Sequence, residues 1–199
     1  MNHKLATNYP EGYNEKRNFV QLFPEFVRER DFYSYCVAVI HRLTGKGFVP
    51  LLRGMFYKPF AAKGDKLYHF FNTTSFNKSP WIVTFETAIP RLGEGRQRLH
   101  NKAAKKLAGD SCKKIIAMSK SAYELQLVNL KNNYPQYAEV IESKMMILHP
   151  AQELLVKDYS EKKLQIDKIV FTIVGADFFR KGGREVLNVF DKLIPQHSN

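Results

Sequence analysis

Cysteine is scarce in this 199-residue chain, which holds only Cys36 and Cys112. The two are far apart and form no CxxC spacing. That usage gives no disulfide framework and fits a reducing cytosol. Long apolar runs are missing too: no window approaches the ~18 continuous apolar residues of a membrane-spanning helix. The opening MNHKLATNYPEGYNEKRN lacks the apolar core of a secretory signal. A cytoplasmic location is therefore expected, with any membrane contact peripheral and at the inner face. The histidines are scattered and no Asp-x-Asp occurs, so no metal site is spelled out. Neither GxGxxG nor the P-loop pattern appears. Acid is in short supply, with 19 Asp and Glu against 31 Lys and Arg and a formal net charge of +12. Such a balance favours anionic partners: nucleic acid, an acidic membrane surface, or phosphate-bearing small molecules.

What the chain does have is apolar residues at 44 % and aromatics at 13 %, enough for a sizeable core and against global disorder. Residues 1–18 are polar and read as a loose lead-in. Phe26, Arg30, Tyr33, Val37 and Ile40 fall at helical spacing and predict a helix from Pro24 to His41, ended by Gly45 and Gly47. LYHFF (67–71) and WIVTF (81–85) are short runs bounded by turn formers and read as buried strands. A basic helix is expected over Arg96–Gly109, a strand over Lys113–Ser119, and a helix opened by the capping-box spelling Ser121-Ala-Tyr-Glu124. A short helix over Pro135–Ile141 and a strand over Lys144–Pro150 follow. After a charged connector, KIVFTIVG (168–175) reads as the most apolar strand of all, followed by an amphipathic helix. Alternating strands and helices predict an α/β fold, a Rossmann-like and mostly parallel sheet with flanking helices. The expected division is 1–157 as one domain with its connector, and 158–199 as a linker and a strand–helix unit. A lone strand–helix unit builds no sheet of its own.

Three stretches carry chemistry. In GADFFRKGG (175–183), Arg180 and Lys181 stand beside Gly182 and Gly183 where a helix starts. A helix N-terminus offers free N–H groups and a positive dipole end to an anion, and glycine permits close approach. An ordinary surface loop with a glycine turn has the same spelling. Glu86 follows the strand WIVTF, at the carboxyl end where α/β sheets place ligands. There it would orient an acceptor hydroxyl or steady a sugar cation, or else form a structural ion pair with Arg91. His69, Asn72 and Thr73, ending the preceding strand, are candidates for the same cleft, although strand packing and turn chemistry also account for them. Third, nine cations between Arg91 and Lys120, among them Arg98, Lys102, Lys105 and Lys106, face only Glu94 and Asp110. This belt is either a solvated face or an attraction for anionic lipid head groups. No aromatics are interleaved with it, so nucleic acid is not expected.

The segment FTIVGADFFRKGGREVLNVFDKL resembles the opening of the C-terminal domain in GT-B glycosyltransferases of retaining family 4. WIVTFE, KKIIAMSKSAYELQ and KMMILHP are similar to successive strand-based segments of that family's N-terminal domain. The resemblance covers about residues 66–195. It implies the N-terminal half of a GT-B fold followed by a truncated donor-binding domain, and sugar transfer from a nucleotide sugar to a glycan or lipid-linked acceptor hydroxyl, with retention. It further implies surface polysaccharide or glycolipid synthesis, a nucleotide sugar as donor substrate, and no cofactor or metal. Arg180, Lys181 and Gly182 would hold the donor diphosphate, and Glu86 would sit by the reacting centre. Ala176 stands where the family often has arginine, and Glu86 where it commonly has histidine. On this reading the 199 residues alone do not transfer sugar. The alternatives are a basic, non-catalytic Rossmann-like module for nucleic acid or anionic lipid, and a GT-B-like epimerase.

Overall fold

A computed structural model describes residues 4–7, 27–29, 32–44, 54–58, 66–92, 95–150, 158–161, 170–174 and 177–197. The chain divides into two compact units, Met1–Gln152 and Glu153–Asn199.

The first unit is α/β. In chain order it runs β1 (Lys4–Thr7), β2 (Val27–Arg28), α1 (Phe32–Thr44), β3 (Met55–Phe56), β4 (Lys66–Phe71), β5 (Thr74–Ser75), β6 (Trp81–Phe85), α2 (Gln97–Ala108), β7 (Cys112–Ala117), α3 (Lys120–Asn133), α4 (Ala138–Glu142) and β8 (Met145–Ile147). Six strands form one sheet in the order β2-β1-β4-β6-β7-β8, while β3 and β5 pair separately. Every pairing is parallel. This is the Rossmann-like sheet that the strand–helix alternation predicts. The order reverses at β1: the chain steps outward to β2, then returns to β4 on the other side. Such a reversal is where open parallel sheets leave a crevice at their carboxyl ends.

Register explains the core. Tyr68 lies opposite Trp81 and Phe70 opposite Val83; Val83 lies opposite Ile115 and Phe85 opposite Ala117. Side chains alternate along a strand, so these residues share one face, and all are buried. Phe56 packs on that face, with ring centroids 4.7 Å from Phe70 and 5.4 Å from Tyr68. Helix α2 covers it with Ala104 and Leu107, and α3 with Ala122 and Leu130. Lys144 then finishes α2: its Nζ donates to the carbonyls of Ala108 and Gly109 at 2.7 and 2.8 Å, a cation on the negative end of the helix dipole.

Here the structure departs from the expectations in three places. A strand, β1, lies inside the supposed lead-in, because KLAT is too short to show periodicity. Within the helix expected from Pro24 to His41, residues 27 and 28 are the extended β2, and the described helix is α1, Phe32–Thr44. Gly45 and Gly47 lie outside the described residues. Helix α3 is capped by Ser119, not Ser121; the Ser119 hydroxyl accepts from the Ala122 amide at 3.1 Å. Both serines fit a capping spelling, and the one whose backbone is extended, with φ −154°, takes the cap.

Glu29, just past β2, is an unforeseen feature. Its carboxylate is nearly buried and hydrogen-bonds both Lys58 and Lys66. Burial pushes the carboxyl up, but the two lysines outweigh it and hold the group below its ordinary value. The triad ties β2 and the segment after β3 to the start of β4.

Among the described residues of the second unit, a single turn at Tyr159–Glu161 and helix α5 (Gly183–His197) are the regular elements. The strand expected over 168–175 is not formed across its described part, 170–174, which pairs with no described strand. Phe171 instead meets Phe190 of α5 edge-on at 4.9 Å. Among the described residues, no helix is long and apolar enough to cross a membrane.

Candidate functional site

At the carboxyl edge of the sheet, next to the reversal of strand order, three side chains meet. Asn72 ends β4 and Glu86 ends β6, and pairing of these strands carries both to the same edge. The Asn72 amide donates to Glu86 Oε1 at 3.3 Å, and the Glu86 backbone N–H donates to Asn72 Oδ1 at 3.3 Å. Arg91 Nη1 donates to the same Oε1 at 2.9 Å. Glu86 Oε2 accepts nothing from the described residues. Both charged side chains keep nearly half of their exposure. The ion pair that the sequence allowed for Glu86 is therefore formed, and it leaves a free carboxylate oxygen beside a guanidinium with spare N–H groups. A carboxylate and a guanidinium side by side can take a pair of sugar hydroxyls, one as donor and one as acceptor.

The backbone around this trio is tightly specified. Asn72 adopts φ +51°, a left-handed conformation that asparagine tolerates better than most residues. Gly54, at φ +88°, is wedged against it: a Cβ there would lie 2.1 Å from the Arg91 carbonyl oxygen and 3.5 Å from that of Asn72. From the helix side, Gln126 of α3 clamps the loop. Its amide donates to the Ile89 carbonyl at 2.9 Å and accepts from the Ile89 N–H at 2.8 Å. Asn129 adds a third bond to the same carbonyl at 3.2 Å. Gln126 is fully buried in the stripe Ala122, Gln126, Leu130. A polar residue in an apolar helical row is the signal that could have revealed this clamp.

Two other cleft candidates are not presented to a ligand. His69 is buried, its Nε2 lying 2.8 Å from the Thr84 hydroxyl. Burial pushes its imidazole down to about 4, so it is neutral near pH 7. Its side chain alternates away from the edge into the face of the sheet. Thr73 is buried as well and spends its hydroxyl on the Phe71 carbonyl at 2.9 Å. The polar loop continues inward, where Thr74 and Asn77 hold buried polar atoms without partners among the described residues.

In the second unit, the predicted phosphate corner is a closed turn. The amides of Lys181, Gly182 and Gly183 donate to the carbonyls of Asp177, Phe179 and Phe178 at 3.0, 3.1 and 2.9 Å. Arg180 Nε donates to Asp177 Oδ2 at 2.8 Å. Gly182 supplies the positive φ, +76°, that the turn needs. Gly183 gives room to the Phe178 ring, which a Cβ would meet at 2.3 Å. These glycines thus serve the turn itself, and an anion here would be met by the exposed Lys181 side chain and by amides deeper in the first turn of α5. Gly175 and Ala176 lie outside the described residues.

Arg98, Lys102 and Lys105 line the outer side of α2, with Lys106 half-buried beside them. Among the described residues, no group of three His, Cys, Asp or Glu is placed to hold a metal ion. No protein-family model matches the chain, and neither a curated protein nor a solved structure matches it.

Proposed function

We propose that the first unit is the acceptor-side domain of a nucleotide-sugar-dependent glycosyltransferase, with the Asn72–Glu86–Arg91 edge as its sugar-binding site. The observation that supports this reading is the convergence of those three residues at the carboxyl edge of a parallel sheet, beside its reversal of strand order. In this role Glu86 Oε2 accepts a hydrogen bond from the acceptor hydroxyl and takes its proton as that oxygen bonds to the sugar and the sugar's bond to the donor diphosphate breaks. Arg91 holds the carboxylate in place, and the Asn72 side chain fixes its backbone. On the donor side, Lys181 meets the diphosphate as a flexible point charge, while Arg180 is held back by Asp177.

The test is binding of the full chain to an immobilised panel of glycans, repeated with Glu86→Gln and Arg91→Met. Hydrogen bonds to charged groups are worth about 1.5–3 kcal/mol, so each variant should weaken retention about ten- to a hundredfold. Retention of no glycan by the wild-type chain, or equal retention by Glu86→Gln, contradicts the proposal.

A further inference from the structure

The cationic side of α2 takes no part in the sugar site. Arg98, Lys102 and Lys105 recur at i, i+4 and i+7, on the side of the helix opposite the buried Ala103, Ala104 and Leu107. All three are exposed, and none makes an ion pair with a described residue. The helix contains no acid, and Asp110 alone opposes six cations between residues 97 and 114. Lys113 and Lys114, at the start of β7, are exposed as well. Like charges at this helical spacing repel one another, so an anionic surface brought against them gains from every one.

We propose that this face of α2 is an electrostatic docking surface for an anionic lipid bilayer. Five of the six cations are lysines, flexible point charges rather than the planar forks that read phosphates bidentately. The outward residues Gln97, Arg98, Asn101, Lys102 and Lys105 include no aromatic on which a base could stack. They also include no apolar side chain to insert, so contact stays at the level of the head groups. A flat, diffuse sheet of negative charge asks for nothing more. This inference rests on the charge pattern and stands apart from the sugar-transfer reading.

The full chain is sedimented with phosphatidylcholine vesicles, with and without added phosphatidylserine. Binding is expected only with phosphatidylserine, weakening as salt screens it. The combined variant Arg98→Glu/Lys102→Glu/Lys105→Glu should lower it at least about a hundredfold with an unchanged melting temperature. If that variant does not fold, the milder Lys102→Gln/Lys105→Gln should lower it about tenfold. Absence of phosphatidylserine-dependent binding, or full binding by either folded variant, overturns the proposal. So does duplex RNA binding that is tighter than vesicle binding and abolished by the same substitutions.

Discussion

WIVTF (81–85) and VFTIV (170–174) are nearly the same set of residues in a different order, and they end in opposite states. The first is β6, laddered on one side to β4 and on the other to β7, with Trp81, Val83 and Phe85 wholly buried. The second forms no strand, and Val170 and Val174 remain 73 % and 82 % exposed. Intrinsic β-propensity is alike in the two. The difference is that β6 has strands to hydrogen-bond and helices to cover its faces, whereas the described residues offer 170–174 no strand and only α5, which meets Phe171 through Phe190. Apolar spelling reports a demand for burial; topology decides whether it is met.

Breaking the buried member should cost most. Trp81→Ala removes a fully buried side chain packed beside Phe70 and should destabilise the first unit by about 4 kcal/mol, measured by denaturant unfolding. Next comes pH, acting on β6 through the His69–Thr84 contact. His69 titrates at about 4 when folded, against 6.5 for an unperturbed histidine. The unfolded chain binds the extra proton first, so stability is full above pH 6.5 and falls as the pH drops toward 4. The loss should reach about 3 kcal/mol, and His69→Leu should flatten that part of the pH profile. Gln126→Met strands the buried N–H of Ile89, beyond the end of β6, leaves its carbonyl to Asn129 alone, and should cost about 2 kcal/mol. Smallest of all, Val174→Thr should change stability by no more than about 0.5 kcal/mol. A loss near that of Trp81→Ala would mean that 170–174 is buried as β6 is.

Much of the sheet could be read in the sequence because β4 and β6 are largely apolar, β7 ends in the apolar Ile115–Ala117, and turn formers punctuate them. KLAT could not be read, since four residues with a single large apolar side chain carry no period. At the site, Glu86 and Asn72 were legible from their places just past two strand ends. Their mutual contact required the register of β4 against β6, and the Gln126 clamp required α3 to return over the loop. His69 misled for a simple reason: a polar residue near a strand end can face the edge or the sheet, and alternation took it into the sheet. At 180–183, the glycine and lysine spelling was visible, but it did not reveal that the turn's own carbonyls occupy the amides.

The central claim is that Asn72, Glu86 and Arg91 form a sugar site at the carboxyl edge of the sheet. The most direct measurement is an amide-resolved NMR titration of the full chain with an oligosaccharide retained by the glycan panel. Shifts should concentrate at residues 72–75 and 86–92 and vanish in Glu86→Gln. Shifts confined to α2, or spread without regard to the sheet edge, would contradict that claim.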